Sequence, residues 1–600
     1  VKGGPVASNR CRRDIIEKTT GEIRTFLSAL ANGTSHYKSL HNLTEQIEHQ
    51  YEGRFLIELL QNAHDVLFQD KVEGDEGRVE IVVVPDEAPF GALYVANDGE
   101  PFSLSNFLNL SNLGQSDKDP EKSIGNKGIG FRSVLEICRE PEIYSRQDRT
   151  SSTFDGYCFR FTPSVIDLFK KAIHNLARDG TECSPIDSQT SLVLWGNTEL
   201  EQFRQRYFSK DNEWLDGEMA FLSPYLLPIP VVSDGNHRRI ADFGNRRFAT
   251  VIRMPFLSED KRDRAKILVE NLDENTVLFL ERIHLLYLDS GDTQNYVGRK
   301  GRRLKNHANG EQIDISIDST EEGTATEKRY WLWQRAIGGD QKPEEADEVR
   351  NAVSKLPGKW PEVRKATVAI AVRVGETPET GYFNIYLPTK VQSGCCAHFN
   401  GPFYGTMDRT NIDLGKDYNK LLLGYIGRMA ADVVIAGLTG KDIDEARAII
   451  DILSPLEGRA GERWWSLLKA ITDETGVVID EESLILTDTG WKGLYESSLL
   501  PPVDKHNLIT EEVLRQNATF AVINRGLLSR EEQIEALFAC NQIDSLPATD
   551  DLVNTVEKVA QRLHSQRKRA DWNSFWYDAM HLLPKGSELR GKKVLLGTDG

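Results

Sequence analysis

The chain has 600 residues, 39% of them hydrophobic and 27% charged, with a formal net charge of -18 at pH 7. This composition belongs to a folded globular protein and excludes a collagen-like or disordered chain. The acidic balance disfavours nucleic acid or an anionic membrane as a partner for the surface as a whole, although a local basic patch can bind either.

Length predicts about three domains of roughly 100 to 200 residues each. No apolar run reaches the roughly 18 residues of a membrane span, and the N-terminal "VKGGPVASNRCRRD" lacks the apolar core of a secretion signal, so a cytoplasmic protein with no membrane partner is expected. Seven cysteines without C-x-x-C spacing argue against a disulfide framework and a zinc site, and the adjacent Cys395 and Cys396 read as half buried rather than bonded. The chain lacks an initiating Met and stops at Gly600 after a strand-like "KKVLLG", so further domains outside it are expected.

In chain order, residues 13–31 and 39–68 repeat apolar positions every three or four residues and predict helices, the second broken near Gly53 and resuming as "RFLIELLQNAHDVLF". "RVEIVVVP" and "ALYVAND", separated by the turn-rich "DEAPFG", predict a β-hairpin. A polar stretch, 103–123, leads to "SIGNKGIGF" (123–131), which runs into a predicted helix, "FRSVLEIC". Strands follow at "YCFRFTP" and "TSLVLWGN", and a charged stretch near 199–216 marks the first boundary. The expected units are 1–200, 201–440 and 441–600. The second is α/β, with strands "FATVIRMP", "HLLYLD", "TVAIAVRV" and "YFNIYLP" and an acidic loop or surface helix at 338–351; the third is mainly helical and contains Trp464, Trp465 and Trp491. The fold class is α/β (α+β).

Glu58, Asn62 and Asp65 stand at i, i+4 and i+7, so an acid, an amide and an acid share one helix face. A solvated polar face and a binding site both account for that pattern. "ANDGEPFS" places Asn97, Asp98 and Gly99 at a strand end, where a short polar side chain accepts from an exocyclic amine and glycine admits a flat ring, but N-D-G is also ordinary turn chemistry. In "SIGNKGIGF", Gly125, Gly128 and Gly130 fall in a G-x-x-G-x-G order with Lys127 among them. Bare N–H groups entering a helix N-terminus, with one lysine, make a nest for a phosphate chain; a purely structural glycine loop is the other reading. There is no G-x-x-x-x-G-K-[ST], and the glycine order and polar lead-in do not fit a dinucleotide fold or a protein kinase. Two basic clusters, "GRKGRRLK" (Arg299, Lys300, Arg302, Arg303, Lys305) and "SQRKR" (Arg567, Lys568, Arg569), read as a solvated hairpin tip or helix end, or as a phosphate-backbone contact.

The order of these elements resembles the GHKL ATPases, the superfamily of gyrase, the ninety-kilodalton heat-shock chaperone, histidine kinases and MutL. Within it, "RFLIELLQNAHD", "NDGEPFS" and "IGNKGIGFRSV" look most like the N-terminal ATP-binding domain of sacsin and its relatives, over residues 50–195. The resemblance implies a Bergerat-type sandwich of helices on a mixed or antiparallel sheet, a transducer-like middle domain, and ATP with Mg²⁺. By it, Glu58 is the general base for the attacking water, Asn62 the Mg²⁺ ligand and Asp65 a support of the adenine or ribose side. Gly125, Gly128 and Gly130, with Ile129 and Phe131 between and after them, wrap the phosphates as a lid hinge; Lys118 or Lys127 neutralises charge, and Thr190 completes the adenine pocket. Asn97 stands where the family has an adenine-binding aspartate and Pro101 replaces a glycine, so either Asn97 or Asp98 takes the adenine, beside Gly99. "YLPTKVQSGCCAHFNGPFYGTMDRTNID" is similar to the segment that follows this module in sacsin-like proteins, and its Arg409 matches an arginine that reaches the γ-phosphate; a plain surface arginine is the alternative.

The expected function is an ATP-dependent conformational machine in which lid closure and docking of the second domain, or dimerisation, act on a client or effector protein; prokaryotic sacsin-like ATPases include some linked to defence against phage. The alternatives are a nucleotide sensor or scaffold without turnover, and a DNA-dependent ATPase in the manner of MutL or the MORC proteins. A histidine kinase fits least, because no helix pair with a phospho-acceptor histidine precedes the motif set.

Overall fold

The computed structural model describes residues 9–32, 37–38, 53–67, 77–87, 89–111, 130–179, 197–209, 213–231, 238–307, 310–321, 324–406, 410–437, 442–475, 483–504, 508–565, 572–583 and 585–595. In chain order the first elements are α1 (Asn9–Asn32), α2 (Phe55–Val66), β1 (Arg78–Val84), β2 (Ala92–Asn97), α3 (Leu104–Ser111), a 3-10 helix (Gly130–Glu136), β3 (Glu142–Ser145), β4 (Phe159–Arg160), α4 (Ser164–Asp179), α5 (Asn197–Ser209), α6 (Trp214–Met219), β5 (Ile229–Pro230), α7 (Arg238–Asn245), β6 (Thr250–Pro255) and α8 (Glu259–Glu270). They are followed by β7 (Leu285–Asp289), β8 (Gln294–His307), β9 (Gly310–Glu321), β10 (Thr324–Gly338), α9 (Pro343–Val353), β11 (Lys365–Val374), β12 (Tyr382–Ile385), β13 (Leu387–Gln392), β14 (Ala397–Asn400), α10 (Asp417–Gly437), α11 (Ile443–Leu453) and α12 (Arg459–Thr475). Beyond these, helices α13 (Glu511–Asn517), α14 (Glu531–Cys540), α15 (Thr549–Ser565) and α16 (Trp572–Leu582) dominate.

All of β1–β14 join one mixed 14-stranded sheet, in the order β13-β12-β14-β11-β10-β9-β8-β7-β1-β2-β6-β3-β4-β5. Near its centre β1 runs parallel to β7, with Arg78 opposite Leu285 and Val82 opposite Asp289, and towards one edge β12 runs parallel to β14. The predicted hairpin is present as β1 and β2, with Val79 opposite Asn97. The strand "FATVIRMP", which the sequence assigns to the second unit, pairs with both β2 and β3 as β6.

Every residue of β2 is buried, which requires cover on both faces of the sheet. On one face Val79, Ile81, Val83, Leu93 and Val95 pack under Phe55, Leu56, Leu59 and Leu60 of α2, Val134 of the 3-10 helix, and Ala265 and Val269 of α8. On the other, Val82, Tyr94 and Ala96 meet Ile15 of α1, Phe107 of α3 and Phe243 of α7. Each of these larger side chains contributes about 1.5–3 kcal/mol through burial, so the rigid centre of this half is the β1–β2 hairpin and the helices clamped on it.

At the other end, β10, β11 and β14 share a core with α10, α11 and α12 that continues through Leu527, Ile534 and Phe538. Trp464 lies inside it, its indole N–H donating to the Ile452 carbonyl at 2.7 Å, and Trp465 and Trp491 pack partly buried against it. A separate core unites Ile509, Leu514, Val553, Phe575 and Leu589. Arg530, with no exposed side-chain surface, and Asp451, 1% exposed, form a buried ion pair at 2.9 Å in the first of these cores. The same guanidinium donates to the carbonyls of Gly375 at 3.0 Å and Glu376.

The helix expected at "FRSVLEIC" is a 3-10 helix over Gly130–Glu136, and of the two readings of the acidic segment the helix is the one found, α9 over Pro343–Val353. Cys395 and Cys396 are buried outright, 0% and 4% exposed, rather than half buried, and both are free thiols. Lys592–Leu595 of "KKVLLG" carry no strand, and "TSLVLWGN" falls outside the described residues except for Asn197, the first residue of α5. No helix among the described residues is long and apolar enough to cross a membrane.

Candidate active site

Helix α2 owes its position to its apolar face, which is seated on the sheet, and this leaves its polar residues along the other flank. Glu58 is 4% exposed, Asn62 is half-buried, and the Asp65 side chain is 4% exposed. Between them His64 is buried, its Nδ1 4.0 Å from the Asp65 carboxylate. Burial pushes the His64 pKa down, opposed by Asp65 and Glu281 and reinforced by Arg282. Because the unfolded chain protonates first as pH falls, stability is expected to decline as pH drops through about 6.5. Urea unfolding at pH 7.5 and 5.5 should show this slope, and His64→Gln should reduce it.

The N-D-G loop lies against the C-terminal end of the same helix. The Glu100 amide donates to the Val66 carbonyl at 2.8 Å, and a Cβ added at Gly99 would fall 2.4 Å from that carbonyl oxygen. The sequence reading gives this glycine the task of admitting a ring; in the structure its missing side chain admits the end of α2. Gly99→Ala is expected to cost about 1–3 kcal/mol by overpacking, read from the denaturation midpoint; an unchanged midpoint would mean that the loop moves aside freely.

Asn97 is 7% exposed, and its side-chain oxygen accepts from the Gly99 amide at 3.3 Å. Asp98 accepts from the Arg78 amide at 2.7 Å and from Arg78 Nε at 3.1 Å. An exocyclic amine offered to Asp98 would therefore compete with a charged donor, whereas at Asn97 it would compete with the neutral Gly99 amide.

The 3-10 helix that begins at Gly130 packs beside α2, with Val134 and Leu135 in the same core as Phe55 and Leu59. Phe131 is partly buried against the cores on both faces of the sheet. Its last residue, Glu136, accepts from the Gly53 amide at 2.6 Å and stands 3.3 Å from Arg264 of α8. Arg282 donates to the carbonyls of Asp65 and Leu67 at 3.3 and 3.4 Å, holding the far end of α2. Arg78, Glu136, Arg264 and Arg282 carry no signal in the sequence, because their partners are distant along the chain.

Thus the structure gathers Glu58, Asn62, Asp65, Asn97, Asp98, Gly99, Gly130 and Phe131 around one helix. Lys118, Gly125, Lys127, Gly128, Ile129, Thr190 and Arg409 lie outside the described residues, as do Arg567, Lys568 and Arg569. On either side of 407–409 the described residues are tied together: the Thr406 amide donates to the Asn411 carbonyl at 3.0 Å, and Asn419 donates to the carbonyls of Tyr404 and Asp413 at 2.8 and 2.9 Å.

The basic cluster "GRKGRRLK" lies along strand β8, and the side chains of Lys300, Arg302 and Arg303 are solvated, 80%, 74% and 66% exposed. Arg299 is 7% exposed, and its Nε donates to the Leu278 carbonyl at 3.2 Å; burial lowers its pKa to about 10. Lys300 pairs with Asp318 at 3.1 Å, Arg302 with Asp314 at 3.2 Å and Arg303 with Glu311 at 2.5 Å across the β8–β9 ladder. These charges are already balanced by neighbouring carboxylates, so the cluster offers little net attraction to a phosphate backbone.

Among curated proteins the chain is 30% identical over 125 residues to Protein NO VEIN of Arabidopsis thaliana, a stretch that makes up 21% of this chain and 4% of that protein. The chain thus spans only a small part of the length of that relative. No family model matches the chain.

Proposed function

We propose that this chain binds ATP with Mg²⁺ and hydrolyses it slowly, as a GHKL-type, sacsin-like module in which nucleotide binding drives a conformational change. The observation that carries the reading is the gathering, around α2, of an acid-amide-acid face, the N-D-G loop and the helix that follows the glycine segment. The partial similarity to Protein NO VEIN supports a distant relationship over a limited stretch and leaves the activity to be argued from the site.

The donor set suits the ion: Asn62 is half-buried, and a hard amide oxygen beside carboxylates is the chemistry that Mg²⁺ selects. When bound, the ion supplies charge neutralisation between phosphates. Asn62 would hold it, the N–H groups of the glycine segment with Lys127 or Lys118 would hold the phosphate chain, and Asn97 would accept from the adenine amine. Glu58 would orient the attacking water and take its proton. Arg409 would lend its charge to the γ-phosphate from the second half of the chain, making hydrolysis depend on how that half is docked. A homodimer or an effector protein would then receive the motion, since a ligand shifts only those equilibria in which it binds one state better.

The test is nucleotide binding and Mg²⁺-dependent phosphate release by the purified chain, beside Asn62→Ala. Asn62→Ala is expected to lose at least about tenfold in affinity for Mg²⁺·ATP while its affinity for metal-free ATP stays within about threefold. Equal loss with and without Mg²⁺ would remove Asn62 from the metal. A second reading, a sensor that binds nucleotide without turnover, is favoured by the engagement of Asp98 with Arg78 and the presence of Asn97 at the adenine position; binding without phosphate release would select it.

A further inference from the structure

Helix α2 begins without a cap of its own. Its N-cap residue, Arg54, makes no side-chain cap hydrogen bond, and Gly53 precedes it at φ +78, a left-handed conformation that glycine adopts at little cost. The acceptor for this end comes from elsewhere: Glu136 Oε2 takes the Gly53 amide at 2.6 Å. The other oxygen of Glu136 faces Arg264 at 3.3 Å and Lys261 at 4.0 Å, and a Cβ on Gly53 would sit 3.4 Å from Arg264 Nη2. The Glu136 side chain is 7% exposed, so this bond is shielded from competing water, and a carboxylate at a helix N-terminus is also favoured by the helix dipole.

We infer that Glu136 is a positioning residue that ties the start of α2 to the end of the 3-10 helix over Gly130–Glu136, and that this tie sets the placement of Glu58. The inference rests on the nucleotide reading above and adds a specific link within it. The tether reaches α2 one turn before Glu58, whose own amide bonds the Arg54 carbonyl at 3.1 Å. Releasing Gly53 therefore loosens the turn that aims Glu58, while Asn62 lies a further turn along and Arg282 still holds the far end. A base displaced by about 1 Å loses rate far more than affinity.

The experiment compares wild type, Glu136→Ala, Glu136→Gln and Glu58→Ala for ATP affinity, kcat and KM, with thermal melting to establish folding. Glu136→Ala is expected to lower kcat at least about tenfold with KM and affinity within about threefold, and Glu136→Gln, which keeps an acceptor for the Gly53 amide, to recover most of that loss. Turnover in folded Glu136→Ala within about twofold of wild type, or a Glu136→Gln variant no better than Glu136→Ala, would overturn the tether. A wild-type chain that neither binds nor hydrolyses ATP would instead overturn the nucleotide reading, and wild-type turnover that Glu58→Ala abolishes keeps the two failures apart.

Discussion

Arg530→Ala is expected to destabilise the β10–β14 core by about 3–5 kcal/mol, because it leaves the Asp451 carboxylate buried without its partner. The two side chains are 0% and 1% exposed, so water cannot replace the lost charge. The same substitution strands the Gly375 and Glu376 carbonyls, which now accept from the guanidinium. Asp451 is further fixed through its backbone, whose carbonyl accepts from the Cys396 amide at 2.9 Å. The measurement is a denaturant titration followed by the fluorescence of Trp464, which lies in the same core. Replacing both partners, Arg530→Met with Asp451→Leu, should recover much of the loss, since a buried pair exchanged for apolar groups of similar volume is often neutral. A single variant that loses less than about 1 kcal/mol would show that the pair sits in a more polar setting than its burial implies.

Glu58→Gln is expected to cut ATP turnover by about 10²–10⁴-fold while nucleotide affinity stays within a few-fold. Glutamine preserves the shape and packing of a residue that is 4% exposed but cannot take a proton from water. The outcome separates base from scaffold more cleanly than alanine, which also removes buried side-chain volume. Wild-type turnover in Glu58→Gln would mean that another group activates the water, and the acid-amide-acid face would then be a binding surface only.

The elements around α2 were legible because their apolar residues follow a clear period and turn residues bracket them: "RVEIVVVP" and "ALYVAND" could hardly be anything but neighbouring strands. The long strands β8, β9 and β10 were not. Their outer faces are rich in charge, and the cross-strand pairing of Lys300 with Asp318 and of Arg302 with Asp314 is invisible until the register is known. The same register turned Arg299 from an apparent surface charge into a buried donor. Over seven residues, Gly130–Glu136, a three-residue period and a 3.6-residue one leave nearly the same pattern, so the sequence shows a helix there without its type. Among the described residues, Glu58, Asn62 and Asp65 could be placed on their helix and Asn97 on its strand end, but the residues that hold those elements together, Arg78, Arg282 and Glu136, become recognisable only when distant segments meet.

The parallel seam between β1 and β7 has a consequence for how the protein is made. As the chain leaves the ribosome, both strands of the β1–β2 hairpin are out once Asn97 has emerged, yet β2 waits for Thr250–Pro255 to cover one edge and β1 waits for Leu285–Asp289 to cover the other. Until then a largely apolar hairpin presents open edges on both sides, the condition under which nascent chains pair with the wrong strand or with one another. A fragment ending near residue 200 would keep this condition permanently, and one ending beyond Asp289 would be the first able to close both edges.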